Sequence, residues 1–415
     1  MYDVIVVGGG AAGIMAAGRA SQKGARVLLI EKMNRPGKKI LITGKGRCNL
    51  THDAPPSEYF KNIFPNPRFL KHAFHHFFKD DVIRILHDQG VRTTTERGNR
   101  VFPVSNRSLD VLNALWHWMN KGKPDTLIDT SVEDLIIENN TVKGVSTMSN
   151  QGRKEYFAQK VIIATGGKSY PATGSGGDGY GWAKQSGHHI VSPMPALVPL
   201  VVKEVDKARN LQGLSLKNCN AILWMNGKKI TEAFGELLFT HYGLSGPVIL
   251  SMSRQVLSFE LHENKVEISI DLKPALDEKK LDARLLRDLD ASGKKQVENI
   301  FRLWLPSKMI PVFLDELQIE GKKPGGQLSA AERRRIRILM KDMRFTITGN
   351  AGFKEAIITS GGVDTRQVDS KTMESKKISN LFFAGEILDL DGNTGGFNLQ
   401  IAFSTGWLAG DAAYP

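Results

Sequence analysis

The pattern of hydrophobic and polar positions changes character several times along the chain. Residues 2–7, YDVIVV, are β-branched and barely alternate, as in a strand buried on both faces. A small-residue segment, IMAAGRASQKG, is predicted as a helix ended by Gly24, and ARVLLIE as a second strand closing on Glu31. Residues 66–90 have amphipathic helical spacing, with a shorter helix around SLDVLNALWHWMNKG. From Thr126 to Ala164 the pattern turns to short strands, with a hairpin turn at Asn139-Asn140, and VIIATGG closes this meander as a buried strand. Residues 191–275 carry clustered prolines and strand-like runs, whereas 276–344 are helical and charged. Near the C-terminus LFFAG is again a buried strand, followed by the loop DLDGNTGG and a helix beginning near Asn398.

Between the first strand and helix lies Gly8-Gly9-Gly10-Ala11-Ala12-Gly13, which fits G-x-G-x-x-G. Gly8 permits the tight turn, Gly10 lets the backbone reach a pyrophosphate, and Gly13 lets helix and sheet pack closely. The helix start offers unpaired N–H groups and a positive dipole end to phosphates. Glu31, eighteen residues past Gly13, is where a ribose hydroxyl is held. This unit alone leaves FAD and NAD both open. A second formal match, Gly174 to Gly179, fails the context test: a loop containing Pro171 separates it from its strand, and no acid follows at the ribose distance. It reads instead as a helix start within the first nucleotide domain.

Composition bounds the remaining choices. With 415 residues, 41% hydrophobic and 24% charged, the chain resembles an ordinary globular protein of two or three domains. No apolar run is long enough for a membrane span, the N-terminus lacks signal-peptide features, and a cytoplasmic location is expected. Cys48 and Cys219 allow neither a disulfide framework nor a zinc site, and the absence of C-x-x-C excludes a disulfide relay. His72, His75 and His76 read as a helix face; no metal is expected there. The net charge of +13 favours anionic partners, or an enzyme that is merely basic. Two basic stretches stand out: Lys32 to Arg47, with six basic residues and no acid, and Arg333 to Arg344, with six and one. The second, comprising Arg333, Arg334, Arg335, Arg337, Lys341 and Arg344, reads as the solvated face of an amphipathic helix or as a phosphate-contact surface.

GGGAAG, GKKILITGKGRCNLT, VIIATGGKSYPATGSGGDGYGWAKQSGH, GELLFTHYGLSGP, ITSGGV and FFAGEILDLDGNTGGFNLQIAFSTGWLAG together resemble the successive motifs of the BaiN/RdsA (YhiN-like) flavoproteins, a family of FAD-dependent oxidoreductases. The resemblance implies an α/β fold: a Rossmann-like FAD-binding domain related to the fumarate reductase flavoprotein (1–190 with 364–415), an inserted β-barrel domain (191–275 with 345–363) and a small basic helical domain (276–344). The cofactor contacts expected are Gly8, Gly10, Ala11, Ala12, Gly13, Glu31 and Lys32 from the first turn and second strand. The basic loop adds Thr43, Gly44, Lys45, Gly46, Arg47, Cys48 and Asn49, with Lys45 and Arg47 offsetting phosphate or reduced-flavin charge. Val132, Ala164, Thr165, Gly166 and Gly167 follow from the middle of the domain. Gly385, Glu386, Asp391, Gly395, Gly396, Asn398 and Leu399 come from the C-terminal return, where a second helix start meets the flavin.

The family resemblance implies reduction of a carbon–carbon double bond, either in bile acid intermediates or in uridine of ribosomal RNA, with NAD(P)H as the expected electron donor. The basic balance favours ribosomal RNA. A small-molecule flavin oxidoreductase (conjugated-alkene reductase or amine oxidase) and a non-catalytic flavin-bearing RNA-binding protein are the alternatives. His241, in FTHYGLSGP, and Cys48 are candidate proton donors, each with a plain structural reading beside it: a hydrogen-bonded loop histidine and a small buried cysteine.

Overall fold

A computed structural model of the protein describes residues 1–414. It divides into two compact units, one formed by Met1–Ala196 with the chain from Phe353 onward, the other by Leu197–Gly352.

In the first unit, strand Tyr2–Val7 lies between Val27–Ile30 and the end of Gly152–Ile163, all parallel. Asp125–Leu127 extends one side of this sheet and Leu381–Phe383 the other, so the C-terminal segment completes the N-terminal sheet. Val4, Ile5, Val6, Ile162 and Phe383 are wholly buried, as the uninterrupted apolar runs require of strands covered on both faces. The start of Gly152–Ile163 instead pairs antiparallel with Thr141–Ser149, which pairs with Ser131–Glu138. Asn139 and Asn140 both have positive φ (48° and 56°), the requirement of a tight primed turn. Helix Ala11–Gln22 packs on the final helix, Phe397–Ala413. Their crossing needs glycine, because a Cβ at Gly406 would meet the Ala12 carbonyl oxygen at 2.2 Å, and one at Gly410 the Ala16 oxygen at 2.3 Å.

The amphipathic stretch 66–90 is two helices, Lys71–His76 and Lys79–Asp88, broken where Phe77 is extended (φ −151°). A three-stranded sheet of Thr51–His52, Arg100–Pro103 and Thr93–Glu96 was not foreseen. TTTE and RVFP lack a clear apolar alternation.

In the second unit six strands close a barrel, in the order Leu200–Val202, Gly243–Ser245, Lys228–Phe239, Ser215–Met225, Val266–Asp271 and Met343–Asn350. Helix Pro247–Leu257 interrupts what reads as a β-rich stretch. The expected three-part division is corrected at two points. Ile358–Val363 pairs with Ile190–Ala196 inside the first unit rather than joining the barrel. The helices of 276–344 share one apolar core with the barrel, since Leu281, Leu285, Ile336 and Met340 pack with Ile268 and Phe345. No helix among the described residues is long and apolar enough to cross a membrane.

Candidate functional site

The glycine turn is built by contact. Gly8 has φ +101°, and a Cβ at Gly13 would lie 1.8 Å from the Gly8 carbonyl oxygen, so the helix start is pressed onto the turn. Gly10 differs: a Cβ there meets nothing within 4 Å. It caps helix Ala11–Gln22, whose first turn carries no acidic residue and whose N–H groups face a cleft. The cleft has an empty volume of about 1180 Å³ with its open mouth included. It is an open cleft rather than a closed cavity.

Glu31 lies on one wall, its carboxylate accepting the N–H groups of Gly9 and Met33, each at 2.8 Å. Burial pushes its carboxyl above the ordinary value, against the pull of those two N–H donors and of Lys32 and Lys38. Farther along, Glu386 follows strand Leu381–Phe383 and accepts from Lys39 Nζ (2.7 Å), Ser169 Oγ (2.7 Å) and Thr359 N–H (2.9 Å). Lys39 and Glu386 are 23% and 12% exposed, so this ion pair is mostly withdrawn from water yet lines the cleft. The start of helix Phe397–Ala413 supplies Asn398 and Leu399 to the lining. Asn398 ties the preceding loop down by exchanging hydrogen bonds with the Gly392 backbone, both at 2.7 Å. Thr165 Oγ1 is buried without a hydrogen-bond partner, packed against Gly179, where an added Cβ would meet it at 2.4 Å.

Of the expected contacts, Gly8, Gly10, Ala11, Ala12, Glu31, Lys32, Thr43, Val132, Ala164, Thr165, Gly166, Gly385, Glu386, Asn398 and Leu399 line this one cleft. The others sit behind it. Gly167 lies against Thr359 and Glu386, and Gly395 offers its carbonyl to His52 Nδ1 at 3.2 Å. Asp391, buried, pairs with Phe64 in a short ladder. With its amide turned to suit its neighbours, Asn49 accepts the N–H of Gly396 at 3.2 Å and donates to the Thr51 carbonyl at 3.3 Å. It braces the second helix start from outside the lining.

The basic loop needs correction. Gly44, Lys45, Gly46 and Cys48 all have positive φ, so the loop is tightly coiled beside Thr43. Lys45 is exposed and outside the cleft lining. Arg47 does not point at a phosphate: it pairs with Glu96, donates to Asn106 Oδ1 at 2.6 Å and lies 4.2 Å over the Phe102 ring. Cys48 is wholly buried, and burial pushes its thiol up to about 12, so it presents no atom to a ligand. His241 belongs to the second unit, exposed in the turn before Gly243–Ser245, its ring edge-on to Tyr242.

The basic helix, Ala330–Lys341, also differs from the expected phosphate-contact face. Arg333 pairs with Asp282 (3.2 Å), and Arg337 with Glu278 (3.5 Å) and Asp282 (3.7 Å). Lys341 pairs with Asp271 (2.5 Å), and Arg344, just beyond the helix, with Asp342 (2.9 Å) and Glu267 (3.5 Å). Only Arg334 and Arg335 of the six are exposed.

Lys39 and the second glycine run, read as a helix start within the first nucleotide domain, are not among the expected cofactor contacts. Thr173, Gly174, Ser175 and Asp178 line the same cleft, with Lys32 and Asp178 paired at 2.5 Å across it. The available signal was the glycine-rich turn leading straight into helix Asp178–Gln185.

A family model described as HI0933-like protein Rossmann domain matches residues 2–412. The chain is 30% identical to a 3-dehydro-bile acid delta(4,6)-reductase of Clostridium scindens, covering 100% of this chain and 99% of that protein. It is 31% identical to a ribosomal RNA dihydrouridine synthase of Escherichia coli, covering 98% and 96% respectively. Among solved structures, a quinol-fumarate reductase is similar at TM-score 0.53 and 17% identity, over 100% of this chain and 70% of that one. A 3-ketosteroid-delta4-(5alpha)-dehydrogenase from Rhodococcus jostii RHA1 is similar at TM-score 0.53 and 15% identity, over 100% and 97%. At such identities the structural likeness speaks for the fold alone. The end-to-end match agrees with the resemblance of the motifs: the chain belongs to the HI0933-like protein Rossmann family and is an oxidoreductase with a Rossmann-like FAD-binding domain.

Proposed function

We propose that the chain holds FAD along the cleft and reduces a carbon–carbon double bond, with uridine in ribosomal RNA as substrate and NAD(P)H as electron donor. The observation that carries the cofactor reading is the joining of two helix starts without side-chain caps, Ala11–Gln22 at Gly10 and Phe397–Ala413 at Asn398 and Leu399, in one cleft with Glu31. The backbone N–H groups beyond Gly10 would hold a pyrophosphate, and Glu31 the ribose hydroxyls. Asn398 and Leu399, at the start of Phe397–Ala413, would face the ring carbonyl that gains negative charge on reduction. The cofactor, when bound and reduced, would supply the hydride for one alkene carbon. The chain must then deliver a proton to the adjacent carbon. Of the two candidate donors, the Cys48 thiol is enclosed, and His241 is exposed on the second unit.

The names of both full-length relatives describe saturation of a double bond, which supports the reaction class. Net charge of +13 supports an RNA substrate over an apolar one. A second reading, reduction of a conjugated alkene in a small molecule, is supported by the 30% identity to the bile acid reductase. Dihydrouridine in ribosomal RNA, measured by mass spectrometry in cells with and without the gene, separates the two. Loss of a dihydrouridine on deletion is expected; unchanged content would overturn the RNA substrate.

A further inference from the structure

A second arginine-rich segment lies in the first unit. Residues 92–107, RTTTERGNRVFPVSNR, hold Arg92, Arg97, Arg100 and Arg107 against one acid, Glu96. They form the hairpin of Thr93–Glu96 and Arg100–Pro103, turned at Gly98 and Asn99, and all four arginines are exposed. The acids within reach are already engaged. Glu96 pairs with Arg47, and Asp53 with Lys79 at 2.7 Å, while Asp110 stands 4.0 Å from Arg107, whose side chain remains 66% exposed. Thr94 and Thr95 on the outer strand are exposed beside the arginines, and Lys45 is exposed on the neighbouring loop. The hairpin abuts the cleft wall: Thr43 lines the cleft, and the space beside the next residue, Gly44, is filled by Phe102 of the hairpin, which also carries Arg47 on its face.

We propose that this hairpin, and not helix Ala330–Lys341, is the surface that docks the phosphate backbone of the RNA beside the cleft. The inference rests on the RNA reading given above. Exposed guanidinium groups not held by a close carboxylate are the groups that contact phosphates, and they position a nucleic acid without reading its sequence. Arg100 here donates only to the Arg97 carbonyl at 3.2 Å, and Thr95 to Asp53 at 3.4 Å. A guanidinium or ammonium already paired with a carboxylate must break that pair first, which is the condition of Arg333, Arg337, Lys341 and Arg344.

The test uses the FAD-loaded full chain and protein-free ribosomal RNA transcribed in vitro, with affinity measured between about 50 and 200 mM salt. Arg97→Ala/Arg100→Ala/Arg107→Ala is expected to weaken binding by about 10-fold or more and to lower the salt slope by about 2, since each phosphate contact contributes roughly 0.7–0.9. Arg334→Ala/Arg335→Ala is expected to stay within about 2-fold of wild type, and flavin absorbance to be equal in all three. Wild-type affinity and slope in the hairpin variant would overturn the assignment. Complementation of the deletion strain separates this failure from that of the substrate reading. If dihydrouridine disappears on deletion and the hairpin variant restores it fully, only the docking surface falls. If deletion changes nothing, both fall.

Discussion

The two units treat their polar groups in opposite ways. In the first, charged groups are withdrawn from water but line the cleft: Glu31 on two backbone N–H groups, and Glu386 with Lys39. In the second, the barrel closes on itself and the charges close on one another. Asp282 serves Arg333 and Arg337, Lys341 is held by Asp271, and Lys323 by Glu332 of a capping box. The more basic-looking helix is therefore the one with less charge to offer. Charge counted along a chain is not charge available to a partner.

The sharpest way to break this contrast is inside the glycine turn. Gly13→Ala forces a Cβ to within 1.8 Å of a backbone oxygen, and it should lower stability by about 1–3 kcal/mol and abolish FAD retention. Gly10→Ala meets nothing in the protein, so the ligand-free chain should melt as wild type while FAD binding weakens. Thermal melts with and without FAD check both; a Gly10→Ala variant that binds FAD like wild type would remove the turn from the site.

Next in size are the ion pairs. Lys39→Met leaves the Glu386 carboxylate without its cation in a mostly buried wall, and should cost about 2 kcal/mol together with loss of FAD affinity. Asp282→Asn, in a more exposed setting, should cost about 1 kcal/mol and leave FAD affinity untouched. Urea unfolding and FAD titration of the two variants compare the units directly.

Acid should separate them too. Burial holds His188 below its ordinary 6.5, and its ring lies 2.8 Å from Ser375 Oγ and 3.1 Å from the Ala183 carbonyl. A depressed histidine contributes stability above pH 6.5 that is lost as pH falls, because the unfolded chain takes up the proton first. In the second unit, the Lys323 ammonium and the Ser329 donors hold Glu332 down at about 2 from 4.5, so its contribution persists above pH 4.5 and fades only towards 2. Hydrogen exchange should show the first unit loosening from this cause at higher pH than the second loosens from loss of Glu332. His188→Gln should make the first unit's response flatter. The smallest effect expected is from Arg334→Ala/Arg335→Ala, within about 0.5 kcal/mol of wild-type stability.

Features governed by neighbours in sequence were legible. The turn at Gly8–Gly13, the Asn139–Asn140 hairpin and the buried strand in LFFAG follow from local pattern, and each is present. Features that depend on distant pairing were not. Arg333 meets Asp282 across 51 positions, Arg47 meets Glu96 across 49, and Lys39 meets Glu386 across 347. No periodicity marks such pairs, so Arg47 reads as a phosphate ligand and Lys39 as one of a basic run. Helix Pro247–Leu257 was hidden for another reason: VILSMSRQVL is rich in β-branched and apolar residues, and the closed barrel beside it decides its state.

Two glycine-rich runs, Gly8–Gly13 and Gly174–Gly179, converge on one cleft, so the molecule should hold a single dinucleotide. Calorimetric titration of FAD into the full chain stripped of flavin measures this directly. One equivalent per chain is the expected result, with the visible flavin spectrum of a bound cofactor. No uptake, or two equivalents, would contradict it.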